Sequence, residues 1–301
     1  MNHTVHTVDR FIMKQKNTTI FLSPWILTLL IFWLFPLVYS LILSFSEYNV
    51  LSGESHFVGI SNYLELLKDQ DFWTALKNTS FFVVGTIPFT TIFALILAIL
   101  VNQNIPLKGL FRAGFFVPSI TSMVVIALIF MNLYAKEGYL TFLCNLVGAP
   151  TPEKGWLFST KTALPSIMLM DIWMSTGFYM LLFLAALQSI PLELYQISDT
   201  FGASWWQKLW HVTLPYLRPM SLFVVLINTI KSFQIFVEIF VMTKGGPLNS
   251  TLTMVYMVYE TGLHKFRMGY ASAVAYVLFF IILIFSLVQL KLFGYGRTVE
   301  D

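Results

Sequence analysis

Six long apolar runs alternate with polar segments along the chain. They fall at residues 20–43, 74–101, 110–133, 163–188, 216–242 and 269–293. Each is long enough to cross the hydrocarbon core of a bilayer as a helix, which takes about 20 residues. Polar segments at 1–19 and 294–301 flank the six runs. The pattern predicts an all-α membrane protein with six transmembrane helices, hereafter the first to sixth spans, and with both termini on one side.

The segment between the first two spans mixes apolar and polar residues over 45–72. Apolar pairs recur in it at Tyr63-Leu64, Leu66-Leu67 and Phe72-Trp73. This pattern predicts a helix that lies on the outer surface before the second span begins.

The polar segment 189–214 is patterned as well as polar. Glu193 suits the positive end of a short helix, and Gly202 is a residue at which such a helix ends. Ser204 followed by Gln207 is the capping-box pattern that begins a second helix. The first helix would have an apolar face formed by Leu194, Ile197 and Phe201. The segment therefore predicts two short helices around a glycine elbow at the membrane surface.

This segment resembles the "EAA" cytoplasmic loop of permease subunits of binding-protein-dependent ABC importers, especially the maltose-type and glycerol-phosphate-type sugar permeases. Two positions depart from the family pattern. Gln196-Ile197-Ser198 stands where the family has Glu-Ala-Ala, and Phe201 stands where an acid usually precedes the glycine. The alternative is an amphipathic loop of unrelated purpose. The matching residues are Ile190-Pro191, Glu193-Leu-Tyr195, Gly202-Ala203-Ser204, Trp206-Gln207, Thr213-Leu-Pro215 and Arg218-Pro219.

The resemblance implies a set of partners. In that family the loop docks into an ATPase subunit, which places this segment and both termini in the cytoplasm. A second similar permease, two ATPase subunits and an extracytoplasmic binding protein complete the importer in a bacterial or archaeal cytoplasmic membrane. The candidate ATPase-coupling residues are Glu193, Gln196, Ile197, Ser198, Phe201, Gly202 and Ala203.

Composition narrows the function classes. Hydrophobic residues make up 57% of the 301 residues and charged ones 11%, against about 25% charged in soluble domains. A net charge of +3 gives no reason to expect a nucleic-acid partner, and the single cysteine, Cys144, excludes an internal disulfide. The five histidines are scattered, so no metal site is predicted.

The sequence lacks the phosphate-binding motif G-x-x-x-x-G-K-[ST], which cradles ATP in ABC ATPases. ATP and Mg are therefore expected on the partner ATPase subunits, with no cofactor on this chain and no enzymatic activity of its own. The positive-inside rule barely decides the orientation, since nine Lys and Arg fall on the proposed inner side and eight on the outer.

Two further stretches fit the family pattern. Residues 243–247 resemble its Thr-x-Gly-Gly-Pro turn, with Phe236 and Glu238 as the preceding aromatic–acid pair, although a plain hairpin turn is an equal alternative. Small residues at 269–273 would allow the head of the sixth span to pack closely.

Polar residues inside the spans are the candidates for contact with a passenger, because burying them in a membrane is costly. Asp171 and Lys231 should lie about 12 Å and 15 Å from the outer ends of their spans, at a common depth. Such a pair could contact a sugar, or could merely hold two helices together. The full candidate set is Asp171, Trp173, Ser175 and Tyr179 in the fourth span, Asn228, Lys231, Gln234 and Glu238 along one stripe of the fifth, and Tyr276 in the sixth.

We therefore predict a permease subunit of an ATP-driven sugar importer that forms half of the pathway. The charge balance favours a neutral mono- or oligosaccharide, and a glycerol-phosphate-type or other solute is the alternative. An ion-coupled secondary transporter would need internal repeats and discontinuous helices at mid-membrane, and the sequence shows neither. A membrane-embedded enzyme would need a catalytic cluster, which the sequence also lacks.

Overall fold

The computed structural model describes residues 21–48, 50 and 53–292. The predicted terminal segments 1–19 and 294–301 lie outside the described residues. Over the described part of the chain, helices dominate and the strands are a short antiparallel pair, β1 (Ser46–Tyr48) and β2 (Ser55–Phe57). The all-helical prediction is confirmed apart from this hairpin.

Four predicted spans are single long helices whose bounds lie close to those of their apolar runs, although the second span begins earlier, at Gln70, after Asp69 caps it. The surface helix is present but stops at Lys68, and Phe72-Trp73 belong to the second span instead. The elements are α1 (Phe21–Ser44), the surface helix α2 (Ser61–Lys68), α3 (Gln70–Asn102), α7 (Ala163–Gln188) and α13 (Met268–Leu292).

The third span is broken, which corrects the prediction of one helix over 110–133. Helix α4 (Lys108–Ile120) and helix α5 (Met123–Leu133) meet at a 96° bend. Pro118 sits two residues before the end of α4 and supplies no backbone N–H. The hydroxyl of Thr121 donates to the carbonyl of Val117, which satisfies a backbone group at the bend. A short helix α6 (Tyr139–Leu146) and a 3₁₀ turn (Trp156–Phe158) then lead to α7.

The fifth span is also discontinuous, so the prediction that no span is interrupted is wrong. Helix α10 (Leu214–Phe233) ends at Gln234, and a separate short helix, α11 (Val237–Met242), follows. At the other end, the boundary predicted between loop and span is absent. The segment that is predicted to couple to the ATPase, hereafter the coupling segment, comprises α8 (Leu192–Thr200) and α9 (Trp205–Lys208). Helix α9 continues through a π-helical turn (Leu209–Thr213) into α10.

The segment between the fifth and sixth spans turns back into the bundle. The backbone N–H of Met254 donates to the hydroxyl of Thr79 in α3, and the hydroxyl of Thr253 donates to the carbonyl of Ile235. Both partners lie inside spans rather than at their outer ends. A helix, α12 (Met254–Tyr259), and a π-helical turn (Glu260–His264) then lead to α13.

Two clusters of buried apolar side chains hold the helices together. The outer one joins α3, α5, α7, α11, α12 and α13, and its members include Phe82, Ile167 and Met254. The inner one joins α3, α7 and α10 around Tyr179, Phe183 and Leu217. Burial of each such side chain contributes roughly 1.5–3 kcal/mol relative to exposure.

Glycines allow two of the helix contacts to be very close. A Cβ at Gly177 in α7 would lie 1.8 Å from the carbonyl oxygen of Phe115 in α4, and a Cβ at Gly269 in α13 would lie 1.9 Å from the carbonyl oxygen of Ser46. The close packing predicted for the head of the sixth span is therefore present at Gly269.

Helix α1 is joined to the bundle mainly by its outer end. The hydroxyl of Tyr276 in α13 donates to the carbonyl of Leu37 and contacts the hydroxyl of Ser40. Nearer the N-terminal end, Phe21, Trp25 and Trp33 are between 65% and 83% exposed. Most of this helix therefore presents an apolar surface to its surroundings.

Candidate functional site

An ion pair joins the fourth and fifth spans. The Lys231 ammonium group donates to Asp171 Oδ1 at 2.9 Å and to Ser175 Oγ at 2.6 Å. The hydroxyl of Ser175 donates to the same carboxylate oxygen at 3.2 Å. Asp171 and Ser175 lie on one face of α7 because they are four residues apart. The common depth predicted from the sequence is thus reflected in a direct contact.

Glu238 stands close to this cluster although it belongs to the separate helix α11. Its residue is only 5% exposed, and it interacts electrostatically with both Asp171 and Lys231. The four side chains Asp171, Ser175, Lys231 and Glu238 are hereafter the charged cluster, with two carboxylates and one ammonium group.

Asn228 begins a second polar contact one turn before Lys231 in α10. Its Oδ1 accepts the hydroxyl of Ser232 at 3.4 Å, and Ser232 contacts the hydroxyl of Thr86 in α3 at 3.4 Å. Asn228 is fully buried. It therefore connects α10 to α3 through side chains instead of lining an open cavity in this chain.

Three of the remaining predicted site residues are not brought to the charged cluster. Trp173 points away from Asp171, is half exposed and packs on Phe130 with 5.4 Å between ring centroids. Tyr179 is buried in the inner apolar cluster and interacts electrostatically with Asp171 from there. Gln234 is exposed at the break of the fifth span, so the single stripe predicted there is interrupted. Tyr276 instead holds α1 against α13.

Trp173 belongs to a largely apolar groove of about 580 Å³ between α3, α4 and α7. The groove lies on the other side of α7 from the ion pair. Its lining residues include Phe93, Phe111, Phe115 and Pro118.

The coupling segment has the glycine elbow that the sequence predicts. Gly202 adopts a φ of +71°, in the left-handed region that favours glycine. The capping box is present, since Ser204 Oγ accepts the N–H of Gln207 while Gln207 Oε1 accepts the N–H of Ser204. An ion pair between Lys208 and Asp199 at 2.7 Å ties the two helices across the elbow.

Most of the predicted coupling residues are on the surface. Glu193, Gln196, Ile197, Phe201 and Gly202 are exposed, and Ser198 and Ala203 are half-buried. The predicted apolar face of α8 is divided, because Leu194 packs on the inner cluster whereas Ile197 is 54% and Phe201 86% exposed. Ile197 and Phe201 thus leave two apolar side chains exposed beside the elbow.

Residues 249–252, which follow the turn at 243–247, are fixed to the start of α3. The amide nitrogen of Asn78 donates to the carbonyls of Asn249 and Leu252, and the Asn249 side chain donates to Asp71. Nearby, Arg267 makes two hydrogen bonds to Glu65, at 2.8 and 2.6 Å, which raise the pKa of the guanidinium above its ordinary value. These contacts join the start of α3 to the segment after the fifth span, and α2 to the residue that precedes α13.

Sequence reasoning did not predict the positioning role of three residues, although Ser119 is a polar residue that the third span offers to a passenger. The hydroxyl of Ser119 donates to the carbonyl of Met174 and accepts the N–H of Phe178, so it is inserted into the hydrogen-bond ladder of α7. Gly177 lies beside it and Asn78 holds the outer turn. The only advance signal was a small or polar residue inside an apolar run. In the described part of the chain, no group of three or more His, Cys, Asp or Glu could hold a metal ion.

Comparisons with known proteins agree with this architecture. Residues 90–292 match the family model for the binding-protein-dependent transport system inner membrane component. The arabinooligosaccharides transport system permease protein AraP of Bacillus subtilis is 35% identical over 95% of this chain and 91% of its own length. The lactose transport system permease protein LacF of Rhizobium radiobacter is 32% identical over 94% and 97%.

A solved structure gives the same fold. A chain of a bacterial ABC transporter involved in the import of the acidic polysaccharide alginate superposes with a TM-score of 0.84, covering 97% of this chain and 100% of its own. The identity is 20%, so the likeness concerns the fold alone.

A further sequence relative is the multiple sugar-binding transport system permease protein MsmF of Streptococcus mutans, which is 33% identical over 95% of this chain.

Proposed function

The chain belongs to the family of binding-protein-dependent transport system inner membrane components, as a sugar permease, and from this premise we propose its part in the importer. It forms half of the pathway for a neutral mono- or oligosaccharide. A second similar permease forms the other half. Two cytoplasmic ATPase subunits bind ATP and Mg, and an extracytoplasmic binding protein delivers the sugar.

The coupling part of the proposal rests on the segment 192–213. Helix α9 continues through the π-helical turn into α10, and α10 carries Lys231 of the charged cluster. A displacement of the exposed elbow at Gly202 is therefore carried along one continuous helix toward the cluster. Closure of the ATPase pair would move this helix and change access to the pathway.

The observation that carries the choice of a neutral sugar is the pairing of Lys231 with Asp171. A sugar phosphate carries up to about two negative charges and needs several charge-assisted donors. Here the lysine is already paired at 2.9 Å, and Glu238 adds a second carboxylate nearby. Hydroxyl groups of a neutral sugar need only hydrogen-bond donors and acceptors, which the cluster supplies.

Helix α1 supports the proposed pairing with a second permease. Its most apolar window has no buried residue in this chain, although the helix is 24 residues long. A second permease and the bilayer together would cover this surface. We place the membrane as the cytoplasmic membrane of a bacterium or archaeon, with both termini and the coupling segment in the cytoplasm.

The test is ATP hydrolysis by the purified complex in lipid nanodiscs with its binding protein. Arabinotriose, lactose, maltotriose and glycerol 3-phosphate would be supplied in turn. A neutral sugar should stimulate hydrolysis, while glycerol 3-phosphate should not. Stimulation by the phosphate alone would overturn the choice of substrate, and transport by the isolated chain driven by an ion gradient would overturn the ATP-driven mechanism.

The proposed orientation makes a separate prediction. Cys144 lies in α6, on the loop after the third span, which we place outside the cytoplasm. A membrane-impermeant maleimide should therefore label it in intact cells, and the Cys144→Ser variant should remain unlabelled. Labelling that occurs only after permeabilisation, in a protein that reacts fully once denatured, would contradict the orientation.

A further inference from the structure

The two members of the central ion pair differ in accessibility. The side chain of Asp171 is 3% exposed, whereas that of Lys231 is 41% exposed. Asp171 belongs to α7 and is enclosed by the helices packed around it. The ammonium group of Lys231 lies 2.9 Å from its carboxylate. In this chain the lysine side chain is therefore open to its surroundings, whereas the aspartate is not.

Counting hydrogen bonds shows what Lys231 has left to offer. An ammonium group has three N–H donors. Two are directed to Asp171 Oδ1 and Ser175 Oγ. These are the acceptors of Lys231 among the described residues, so its third N–H is available to a ligand hydroxyl.

The charges around the third N–H of Lys231 do not add up to a positive charge. Asp171 cancels the charge of Lys231, with which it is paired at 2.9 Å, so the pair offers no net positive charge to a ligand. A ligand carboxylate would therefore gain little electrostatic attraction at this site. A neutral hydroxyl needs only the hydrogen-bond donor, which Lys231 supplies.

We propose that Lys231 is the residue of this chain that donates to a hydroxyl of the passing sugar, and that Asp171 is a positioning residue whose buried carboxylate makes the site select against acidic sugars. The inference rests on the proposed function and adds a residue for each role. It makes the pair more than a link between two helices, because its charges set the substrate class.

Accessibility is tested by cysteine labelling of the assembled complex in a Cys144→Ser background. The Lys231→Cys thiol should react with a small water-soluble methanethiosulfonate at least about tenfold faster than the Asp171→Cys thiol, since only the former faces the pathway. The Ser232→Cys variant is the matched control, because Ser232 is 2% exposed and adjacent to Lys231. Labelling of the Ser232→Cys thiol would show that the complex has unfolded. Equal rates at positions 171 and 231 in a folded complex would overturn the assignment.

Selectivity is tested by Asp171→Asn, which keeps the size of the side chain and one acceptor oxygen. The two probes are the neutral sugar that stimulates the wild-type complex and the aldonic acid made by oxidising its reducing end. The same binding protein delivers both, so comparing the acid-to-neutral uptake ratio between variants cancels its preference. The ratio should rise about tenfold in the variant, because one buried negative charge is removed.

The Glu65→Gln variant is the control for this measurement. It weakens another carboxylate–cation pair, with Arg267, whose side chains are half exposed, and its uptake ratio should equal that of the wild type. An unchanged ratio in Asp171→Asn would overturn the selectivity role. If no neutral sugar stimulates the wild-type complex, the proposed function has failed, whereas the labelling experiment still decides which member of the pair faces the pathway.

Discussion

Replacing Gly202 with valine is expected to abolish sugar-stimulated ATP hydrolysis while leaving the protein inserted in the membrane. Gly202 has a φ of +71°, and this region of backbone conformation is strongly unfavourable for a β-branched residue. A Cβ there would meet no atom within 4 Å, so the backbone and not crowding is the obstacle. The elbow must therefore change shape, and α8 and α9 would no longer be presented together to the ATPase.

The measurement compares ATP hydrolysis by the nanodisc complex with and without sugar-loaded binding protein. The sugar-stimulated rate of ATP hydrolysis should fall at least about tenfold, to the rate without sugar. Docking of the segment would then no longer stabilise the transition state of hydrolysis. Gly148→Val is the matched control, because Gly148 has a φ of +69° and also has free space around it, but lies in the loop after α6. It should retain normal stimulation.

A second comparison addresses the departure from the family motif. Gln196→Glu restores the family's acid at an exposed position of α8, and we expect the complex to keep its activity.

Wild-type stimulation in Gly202→Val, together with normal recovery of the ATPase subunits on purification, would remove the segment 192–213 from the coupling role.

The second large effect is expected from Gly177→Ala, which should destabilise the fourth span's contact with α4. An alanine in a helix interior normally stabilises by roughly 0.5–1 kcal/mol relative to glycine. Here the added Cβ would lie 1.8 Å from the carbonyl oxygen of Phe115, a backbone atom that cannot rotate away. Such overpacking typically costs about 1–3 kcal/mol and sometimes more. The sign of the usual effect should therefore reverse.

The readout is the midpoint temperature of unfolding of the purified complex, which should fall by about 5 °C or more. Gly114→Ala in α4 is the control, because Gly114 is also inside a helix but has no atom within 4 Å of the added Cβ. Its midpoint should stay the same or rise. Equal midpoints for the two variants would show that α4 and α7 are not in close contact at Gly177.

The local features of this protein could be predicted from its sequence. The bounds of α1, α3, α7 and α13 lie close to those of their apolar runs, because a helix in hydrocarbon must satisfy its own backbone and needs a set length to cross. The elbow at Gly202 and the capping box at Ser204 were predictable for a related reason. They depend on residues at most three positions apart.

Helix breaks depended on tertiary structure. Pro88 and Pro219 lie inside unbroken helices, whereas Pro118 precedes a 96° bend. No proline or glycine marks the break at residues 234–236 of the fifth span. A break in a span leaves backbone groups without their helical hydrogen bonds, and it is tolerated where a neighbouring helix or side chain supplies a new partner. The sequence does not say which helix packs beside the break.

The composition of the charged cluster was likewise decided by packing. Helical spacing put Asp171 and Ser175 on one face of α7, but it could not show that Lys231 meets that face while Trp173 lies on the other. Nor could it show that Glu238, beyond a break, comes back to the same place. Periodicity along one helix fixes which residues share a face, whereas the rotation of each helix about its axis depends on all the side chains that it packs against, and only the tertiary structure fixes that rotation.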